Sequence, residues 1–125
     1  MNILLDTHIL LWWLDDPQLI KEDARSLIQD GSSNIYVSAA ALWEIVLKQS
    51  LGKLEIPNDL QSELDANRFE PLPILASHAF QLRNLPDLHR DPFDRIMIAQ
   101  AQFEGHTFIT RDTIIRQYSI HCMEG

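Results

Sequence analysis

Segments with the pattern of a buried β-strand alternate with helix-length segments along all 125 residues, and this alternation restricts the fold more than any other feature. Strands are predicted at residues 2–6, 34–37, 107–110 and 118–122, and helices at 8–14, 17–30, 39–50, 76–85, 92–104 and 113–117. A further helix is predicted to open at Pro57-Asn58-Asp59, and residues 69–75, which contain two prolines, can form only an edge strand or an extended segment. Repeated strand-then-helix order predicts an α/β fold with a mostly parallel sheet and helices on both faces.

Length and cysteine content indicate the kind of protein. Residues 1–125 are expected to form one domain, because chains usually divide at about 100–200 residues per domain. The single cysteine, Cys122, excludes an internal disulfide and favours a reducing compartment. The longest apolar run, residues 9–14, is far shorter than the ~20 residues of a membrane span, and the N-terminus lacks the features of a secretory signal. We therefore expect a cytoplasmic protein without a membrane segment.

The charge balance narrows the functional class. Ten basic residues against eighteen acidic ones give a net charge of −8. Proteins that coat nucleic acid are usually strongly basic, so that class is disfavoured. An acidic balance is still compatible with a nuclease if some of the carboxylates hold metal ions. The positions of the acidic residues therefore decide whether a nuclease is a reasonable hypothesis.

Two acids follow predicted strands, at the edge where α/β sheets bind their ligands. Asp6 ends the first strand, and Asp112 lies two residues beyond Thr110, at the end of the 107–110 strand. Each could equally serve as the N-cap of the helix that follows it. Neither acid alone therefore identifies a site.

Glu44 is harder to explain structurally. It lies within the segment AAALWEIVL, which is otherwise apolar on every face and predicts a deeply packed helix. A carboxylate removed from water without a partner is costly. An ion pair with Lys48, one turn further on, is worth only about 0.2–0.5 kcal/mol on an exposed helix. That gain is too small to explain a buried acid, so a functional role is favoured.

Asp94 repeats this pattern on the 92–104 helix. It shares a helical stripe with Met97, Ile98 and Ala101, which predicts that it points into the protein. Asp91 precedes Pro92 and is the expected N-cap of this helix. Favourable interaction with the positive helix end explains Asp91 better than Asp94.

Convergence of Asp6, Glu44, Asp94 and Asp112 would create strong repulsion and raise some of their pKa values unless cations are present. Hard divalent ions prefer such oxygen ligands, and Mg²⁺, which Mn²⁺ can replace, suits a few carboxylates plus retained waters. The five histidines are scattered without a zinc-binding spacing. Two ions about 3.5–4 Å apart would clamp the attacking water and leaving oxygen of a phosphoryl displacement. The sequence leaves the number of ions open.

Basic residues flank these acids. They are Arg90, Arg95, Arg111 and Lys48. They suit a rim that contacts substrate phosphates, since Arg binds phosphate in a bidentate manner. Ordinary surface ion pairs would explain them equally well.

Four blocks of sequence resemble the PIN-domain family, and in particular its VapC-like toxins from bacterial type II toxin–antitoxin modules. In chain order they read LLDTHILLWWL, SAAALWEIVLKQSLGKL, LPDLHRDPFDRIMIAQAQ and TFITRD. The resemblance covers nearly the whole chain. It implies a three-layer fold with a parallel sheet flanked by helices, and Mg²⁺-dependent endoribonuclease cleavage of structured RNA.

The resemblance also assigns roles to residues and implies partners. The family's acidic pocket matches Asp6, Glu44, Asp94 and Asp112, and its supporting Ser or Thr matches Thr110. Asp91 is an additional acid of this branch and is placed outside the direct metal ligands. The family further implies a homodimer and an inhibitory antitoxin protein.

Two other classes stay open from the residues alone. A phosphoacceptor domain also carries an Asp after its first strand, but the receiver type needs a lysine after a late strand, and the last lysine here is Lys53. The haloacid-dehalogenase type needs a second Asp where this chain has His8. A non-catalytic binding module is favoured by Trp12, Trp13 and Trp43, although tryptophans at helical spacing are more typical of a core. A nuclease assay with and without chelator separates the three classes.

Overall fold

The computed structural model describes residues 1–56 and 59–125, and these form five strands and six α-helices. The strands are β1 (Asn2–Leu5), β2 (Asn34–Ser38), β3 (Glu70–Leu72), β4 (Thr107–Thr110) and β5 (His121–Glu124). The α-helices are α1 (Thr7–Asp15), α2 (Glu22–Gln29), α3 (Ala39–Ser50), α4 (Leu60–Ala66), α5 (Ala76–Gln81) and α6 (Pro92–Glu104). Single 3₁₀ turns occupy Pro17–Leu19, Leu82–Asn84 and Ile115–Gln117.

All strand pairs are parallel, in the order β3-β2-β1-β4-β5. Consecutive strand residues point to opposite faces of a sheet. Ile3, Leu4 and Leu5 of β1 are all fully buried, as are Phe108 and Ile109 of β4, so both faces of the sheet are covered. The predicted α/β fold, a parallel sheet with helices on both faces, is confirmed.

The strand order reverses between β1 and β4. The chain proceeds outward from β1 through β2 to β3, then returns to the other side of β1 to form β4 and β5. Such a switch point opens a crevice at the carboxyl ends of the two central strands, where α/β folds bind ligands. The amide of Asp6 donates a hydrogen bond to the carbonyl of Ile109 at 3.0 Å, so this acid sits at the crevice.

Helix α3 begins where the sequence predicts. The hydroxyl of Ser38 accepts from the amide of Ala40 at 3.0 Å and donates to Oε1 of Gln100, on α6, at 2.6 Å. The Gln100 amide in turn donates to the carbonyl of Pro73 at 3.2 Å. Because these groups are buried, the network fixes α3 against α6, the two helices that carry Glu44 and Asp94.

Helix α6 also has the predicted ends. Asp91 is its N-cap, Pro92 is its first residue, and Gly105 follows it with φ +71°. A left-handed residue after a helix is usually glycine, because a Cβ is disfavoured there.

The predicted helix over residues 17–30 is wrong, because the chain breaks it in two. Asp16 caps the 3₁₀ turn, and Ile20 then adopts an extended conformation that leaves its side chain 2% exposed. Helix α2 starts afresh after Lys21. Leu19, which the predicted helix would have turned inward, is 48% exposed on the short turn because the helix is broken after it.

Two predicted helices are shorter than expected. The helix over 76–85 ends at Gln81 and continues only as a 3₁₀ turn, because Leu85 precedes a proline and is held extended. The helix over 113–117 is reduced to a 3₁₀ turn. Strand β5 starts at His121 rather than at residue 118, because Tyr118 is buried and bonds to the loop before α6.

The remaining expectations concern β3 and α4. Strand β3 lies at the sheet edge, as its prolines require. Helix α4 has Asp59 as its N-cap. Pro57 and Asn58 of the predicted opening lie outside the described residues. Within the described part of the chain, no helix is long and apolar enough to cross a membrane.

Candidate functional site

A cleft of about 430 Å³ opens at the carboxyl ends of β1 and β4, and the four acids singled out from the sequence line it together. Its lining residues are Asp6, Thr7, His8, Trp12, Glu44, Lys48, Asp91, Asp94, Arg111 and Asp112. The acids come from four separate places in the chain: the end of β1, the middle of α3, the first turn of α6, and the segment after β4. The fold therefore concentrates negative charge at the crevice that its topology creates.

Asp6 is both a helix cap and part of the cleft. One carboxylate oxygen accepts from the amide of Thr7 at 2.8 Å, and the other accepts from the hydroxyl of Thr110 at 2.6 Å. Burial raises the pKa of Asp6 above its ordinary value, although the hydrogen bonds from Thr110 and Thr7 oppose the shift. The hydroxyl of Thr110 also accepts from the amide of Asp112 at 3.0 Å, so one threonine orients both acids.

Glu44 is 8% exposed on α3, and its two oxygens differ. Oε2 pairs with Nζ of Lys48 at 3.1 Å, the i,i+4 ion pair that the sequence offered as a structural explanation. Oε1 is buried and has no hydrogen-bond partner among residues 1–56 and 59–125. An unsatisfied buried charged oxygen costs upward of about 1–3 kcal/mol, so Lys48 does not account for this side chain.

Asp94 lies in the first turn of α6 with its side chain 17% exposed. Burial and the nearby carboxylates of Asp6 and Asp91 raise the pKa of Asp94 to about 7, a shift to which Glu44 adds and which His89 opposes. A carboxyl group whose pKa is raised by burial and by neighbouring carboxylates indicates a place that favours positive charge.

Asp112 is the acid with the most hydrogen-bond donors. Oδ1 accepts from the amides of Ile114 at 2.8 Å and Ile115 at 3.2 Å, and Oδ2 accepts from His89 at 3.0 Å. Burial alone would raise the pKa of Asp112, but the bonds from His89 and these two amides together hold it below its ordinary value. Asp112 is therefore already stabilised as a carboxylate by the protein.

Asp91 lines the cleft but its carboxylate has a structural task. Oδ1 accepts from the amides of Phe93 at 2.8 Å and Asp94 at 3.1 Å, which is the expected N-cap arrangement. One oxygen thus holds the first turn of α6 and places Asp94 at the cleft.

His89 belongs to this cluster, although the sequence analysis gave it no role. Its Nε2 lies 3.0 Å from Oδ2 of Asp112 and 3.1 Å from Oδ2 of Asp94, close enough for the three side chains to share one metal ion. The signal that could have found it is its place in the segment LHRDPFDR, two residues before Asp91. The absence of a zinc-binding spacing among the five histidines gave no indication that one of them lies beside the acids.

Two of the four basic residues line the cleft, Lys48 and Arg111. The guanidinium of Arg111 donates to the carbonyls of Gly125, at 2.6 and 3.1 Å, and of Leu19. It also lies over the ring of Trp12, 4.4 Å from the centroid. Arg111 is therefore a positive charge fixed at the rim of an acidic cleft.

The other two basic residues are not among the described residues that line the cleft. Arg90 is exposed. Arg95 donates to the carbonyls of Pro86 at 3.1 Å and His89 at 3.2 Å and to the hydroxyl of Tyr118 at 3.3 Å. Arg95 therefore holds the loop before α6, and its contact with substrate phosphate stays a prediction.

The donor set of the cleft fits a hard divalent cation. The available ligand atoms are carboxylate oxygens, which Mg²⁺ and Mn²⁺ prefer. The buried Oε1 of Glu44 lacks a donor within the described residues, and the carboxyl groups of Asp6 and Asp94 have raised pKa values. A divalent cation held by these carboxylates would satisfy the buried oxygen of Glu44 and would lower the pKa values of Asp6 and Asp94.

Comparison with known proteins bears on the family of this chain. The family model described as PIN domain matches residues 3–120. Ribonuclease VapC22 of Mycobacterium tuberculosis is 26% identical over 120 residues, which cover 94% of this chain and 92% of that protein.

Solved structures agree in fold. The structure of VapBC2 from Rickettsia felis, bound to a DNA fragment from its promoter, has a TM-score of 0.75 at 19% identity, covering 98% of each chain. DNA-bound VapBC from Salmonella typhimurium has a TM-score of 0.73 at 18% identity, covering 98% of this chain and 97% of that one.

Proposed function

This chain belongs to the PIN-domain family, and on that premise we propose that it is a metal-dependent endoribonuclease that hydrolyses RNA phosphodiester bonds, the toxin of a type II toxin–antitoxin pair. The observation that carries the proposal is the convergence of Asp6, Glu44, Asp94 and Asp112 on one cleft at the topological switch point. The similarity to a protein named ribonuclease VapC22 supports the choice of RNA as substrate. We also propose a cytoplasmic location, which the single cysteine and the proposed RNA substrate support.

Mg²⁺ is the proposed cofactor, with Mn²⁺ as a substitute. Asp6, Glu44, Asp94 and Asp112 would hold it, and when bound it supplies an activated water and neutralises charge on the phosphate. The hydroxyl of Thr110 fixes the orientation of Asp6, and the cap made by Asp91 fixes the start of α6, which carries Asp94.

The basic rim has a separate task in this proposal. Lys48 and Arg111 lie at the cleft and offer positive charge to phosphates that approach a site otherwise lined by acids. Arg111 is held by two backbone carbonyls and by the ring of Trp12, so little side-chain entropy remains to be lost when it contacts a phosphate.

Cleavage of a structured RNA is expected in the presence of Mg²⁺ or Mn²⁺ and should cease when a chelator is added, because the acids alone repel a phosphodiester. The measurement is the rate of cleavage on a gel, with a DNA of the same sequence as the comparison substrate. Cleavage that persists in chelator would contradict the proposal. Retention of RNA without cleavage would favour a binding module, and phosphate transfer from acetyl phosphate to Asp6 would favour a phosphoacceptor.

We also propose two protein partners, a second copy of this chain and an antitoxin. The apolar sequence of α3 predicts a deeply packed helix, but Trp43 and Val46 are 62% and 55% exposed, as is Leu51 just beyond its end at 59%. The expectation that Trp43 belongs to the core is wrong, because this side chain is exposed on the outward face of α3, where its ring meets that of Phe93 in a T-shaped arrangement with 4.8 Å between centroids. A cluster of exposed apolar side chains is typical of a protein interface.

The antitoxin is expected to inhibit by placing an arginine or lysine in the acidic cleft. A chain with a net charge of −8 attracts a cationic partner, and a guanidinium pairs with the same carboxylates that would hold the metal. The Asp94→Asn variant should bind the antitoxin more weakly and with a shallower salt dependence than the unmodified chain. Titration calorimetry at low and high salt measures both, and equal affinities and salt slopes would place the inhibitor elsewhere.

A further inference from the structure

The two basic residues that line the cleft differ in how far their charge is already used. Nζ of Lys48 pairs with Oε2 of Glu44 at 3.1 Å. Arg111 lines the same acidic cleft, yet among the residues that the structure describes it forms no ion pair with an Asp or Glu side chain. The charge of Arg111 is therefore available to a phosphate, whereas that of Lys48 is shared with Glu44.

Backbone groups from two other segments hold Arg111. Its Nε and Nη2 both donate to the carbonyl oxygen of Gly125, at 3.1 and 2.6 Å, and Nη2 also donates to the carbonyl of Leu19. The guanidinium lies over the ring of Trp12, 4.4 Å from the centroid. A guanidinium has five N–H donors, and the two on Nη1 donate to no oxygen within residues 1–56 and 59–125. Nη1 is thus the end of the side chain that remains for a ligand.

The carbonyl of Leu19 is available because the chain breaks between the 3₁₀ turn and α2. In a continuous α-helix this oxygen would accept from the amide four residues further on. Ile20 is extended instead, and the amide of Lys21 donates to the carbonyl of Gly125 at 3.3 Å. The break that overturned the predicted 17–30 helix therefore supplies one of the two carbonyls that hold Arg111.

Position 125 must be glycine for the other carbonyl to stay in place. Gly125 is buried, and its amide donates to the carbonyl of Thr110 at 3.2 Å. A Cβ at this position would lie 2.5 Å from Cδ1 of Ile9 and 2.7 Å from Cγ2 of Ile109, whereas carbon atoms pack at about 3.5–4.0 Å. The Cγ2 atom cannot turn aside easily, because isoleucine is stiff at χ1. A side chain at position 125 would therefore push the backbone, and with it the carbonyl, away from Arg111.

We propose that Gly125 is a positioning residue for RNA binding: its carbonyl and its missing side chain hold the guanidinium of Arg111 at the rim of the cleft, where Nη1 binds one phosphate of the RNA. This inference rests on the proposed function, since the ligand is the RNA that the nuclease would cleave. The contact strengthens binding of the RNA and takes no part in the chemical step.

The Gly125→Ala variant is expected to raise KM for RNA about 10-fold and to leave kcat unchanged. A hydrogen bond between charged groups corresponds to a change in affinity of about this size, and loss of a contact that acts on binding alone appears in KM. Loss of one phosphate contact should also lower the slope of log KM against log salt concentration by about 0.7–1. Initial rates of cleavage of a labelled RNA hairpin, at saturating Mg²⁺ and several salt concentrations, measure all three quantities.

A double-mutant comparison separates positioning from a general effect on the fold. Arg111→Gln removes the charge directly, so adding Gly125→Ala to that variant should raise KM no further. Two changes that act independently would instead multiply their effects on KM.

Ile9→Val provides the rescue and its control. This change removes the Cδ1 atom that the new methyl group would meet, so Ile9→Val/Gly125→Ala should recover part of the lost affinity. Ile9→Val alone should show the KM of the unmodified protein. Melting temperatures establish that each variant is folded in the assay. If Gly125→Ala is unfolded, the same comparisons use Ile9→Val/Gly125→Ala with Ile9→Val as the reference.

The remaining outcomes count against distinct statements. Multiplied effects of Gly125→Ala and Arg111→Gln, or an unchanged salt slope in Gly125→Ala, would overturn the role of Gly125 while leaving the nuclease proposal standing. A fall in kcat at unchanged KM would do the same, because it would assign the effect to the chemical step. Absence of RNA cleavage by the unmodified protein would overturn the proposed function and this inference together.

Discussion

The rate of RNA cleavage by the Asp6→Asn variant is expected to fall by more than about 100-fold. Loss of a residue that only supports a metal ligand costs up to about 100-fold. Asp6 follows the central strand, is 5% exposed, and faces the cleft with the other acids. The substitution removes one negative charge with almost no change in volume. The asparagine still offers one oxygen to the amide of Thr7, so the start of α1 should be preserved.

The test compares cleavage rates and melting temperatures of the unmodified protein, Asp6→Asn and Asp16→Asn. Asp16 is the matched control, because it also caps a short helical turn, through the amide of Gln18 at 3.3 Å, but on the surface. Asp16→Asn should cleave RNA at the normal rate. Full activity in Asp6→Asn would contradict the assignment of the cleft, and a collapse of its melting temperature would assign the loss to folding.

The Asp94→Asn variant is expected to be more stable than the unmodified, metal-free protein at pH 8 and equally stable near pH 4. The pKa of Asp94 is about 7 in the folded chain, against an ordinary value of 3.8. Between these two pH values the folded state binds a proton that the unfolded state has released. The contribution of this group to stability is therefore fully present below about pH 4 and is lost as the pH rises through about 7.

The size of the effect follows from the shift. About three pKa units at 1.36 kcal/mol each give an upper limit of about 4 kcal/mol, on the order of 10 °C in melting temperature for a domain of this size. Thermal unfolding in chelator across this pH range measures it. Asp87→Asn is the control, since it removes the same charge from a fully exposed side chain and should leave the pH dependence unchanged. Parallel pH profiles for Asp94→Asn and the unmodified protein would contradict the expectation.

Local sequence signals were sufficient to predict the ends of helices wherever a single residue sets the backbone conformation. Asp91 and Pro92 open α6 as predicted, and the predicted bounds of α3 and α6 agree with the cap at Ser38 and with the left-handed Gly105. The acids at the sheet edge were also found, because a parallel sheet brings the ends of its strands together whatever lies between them. Predicting that these acids converge required only the correct order of strands and helices.

Features that depend on distant contacts were missed. His89 meets Asp112 across 23 positions of sequence, and its loop is held by Tyr118 from 29 positions away. The segment LHRDPFDR places this histidine two residues before the N-cap of α6, but it does not fix the direction of the side chain. The outward face of α3, with Trp43, was misjudged for a related reason: apolar composition predicts burial but does not distinguish a core from an interface.

The position of β1 in the sheet has a consequence for the timing of synthesis on the ribosome. Residues Ile3 to Leu5 pair on one side with β2, which is made soon afterwards, but on the other side with β4, about a hundred residues later. Contacts of such long sequence separation form late, after the intervening chain has been ordered. Asp6 can therefore meet Asp112 only after β4 has been synthesised and paired with β1. A nascent chain that ends before β4 therefore carries Asp6 and Glu44 without the cleft that the five-stranded sheet forms.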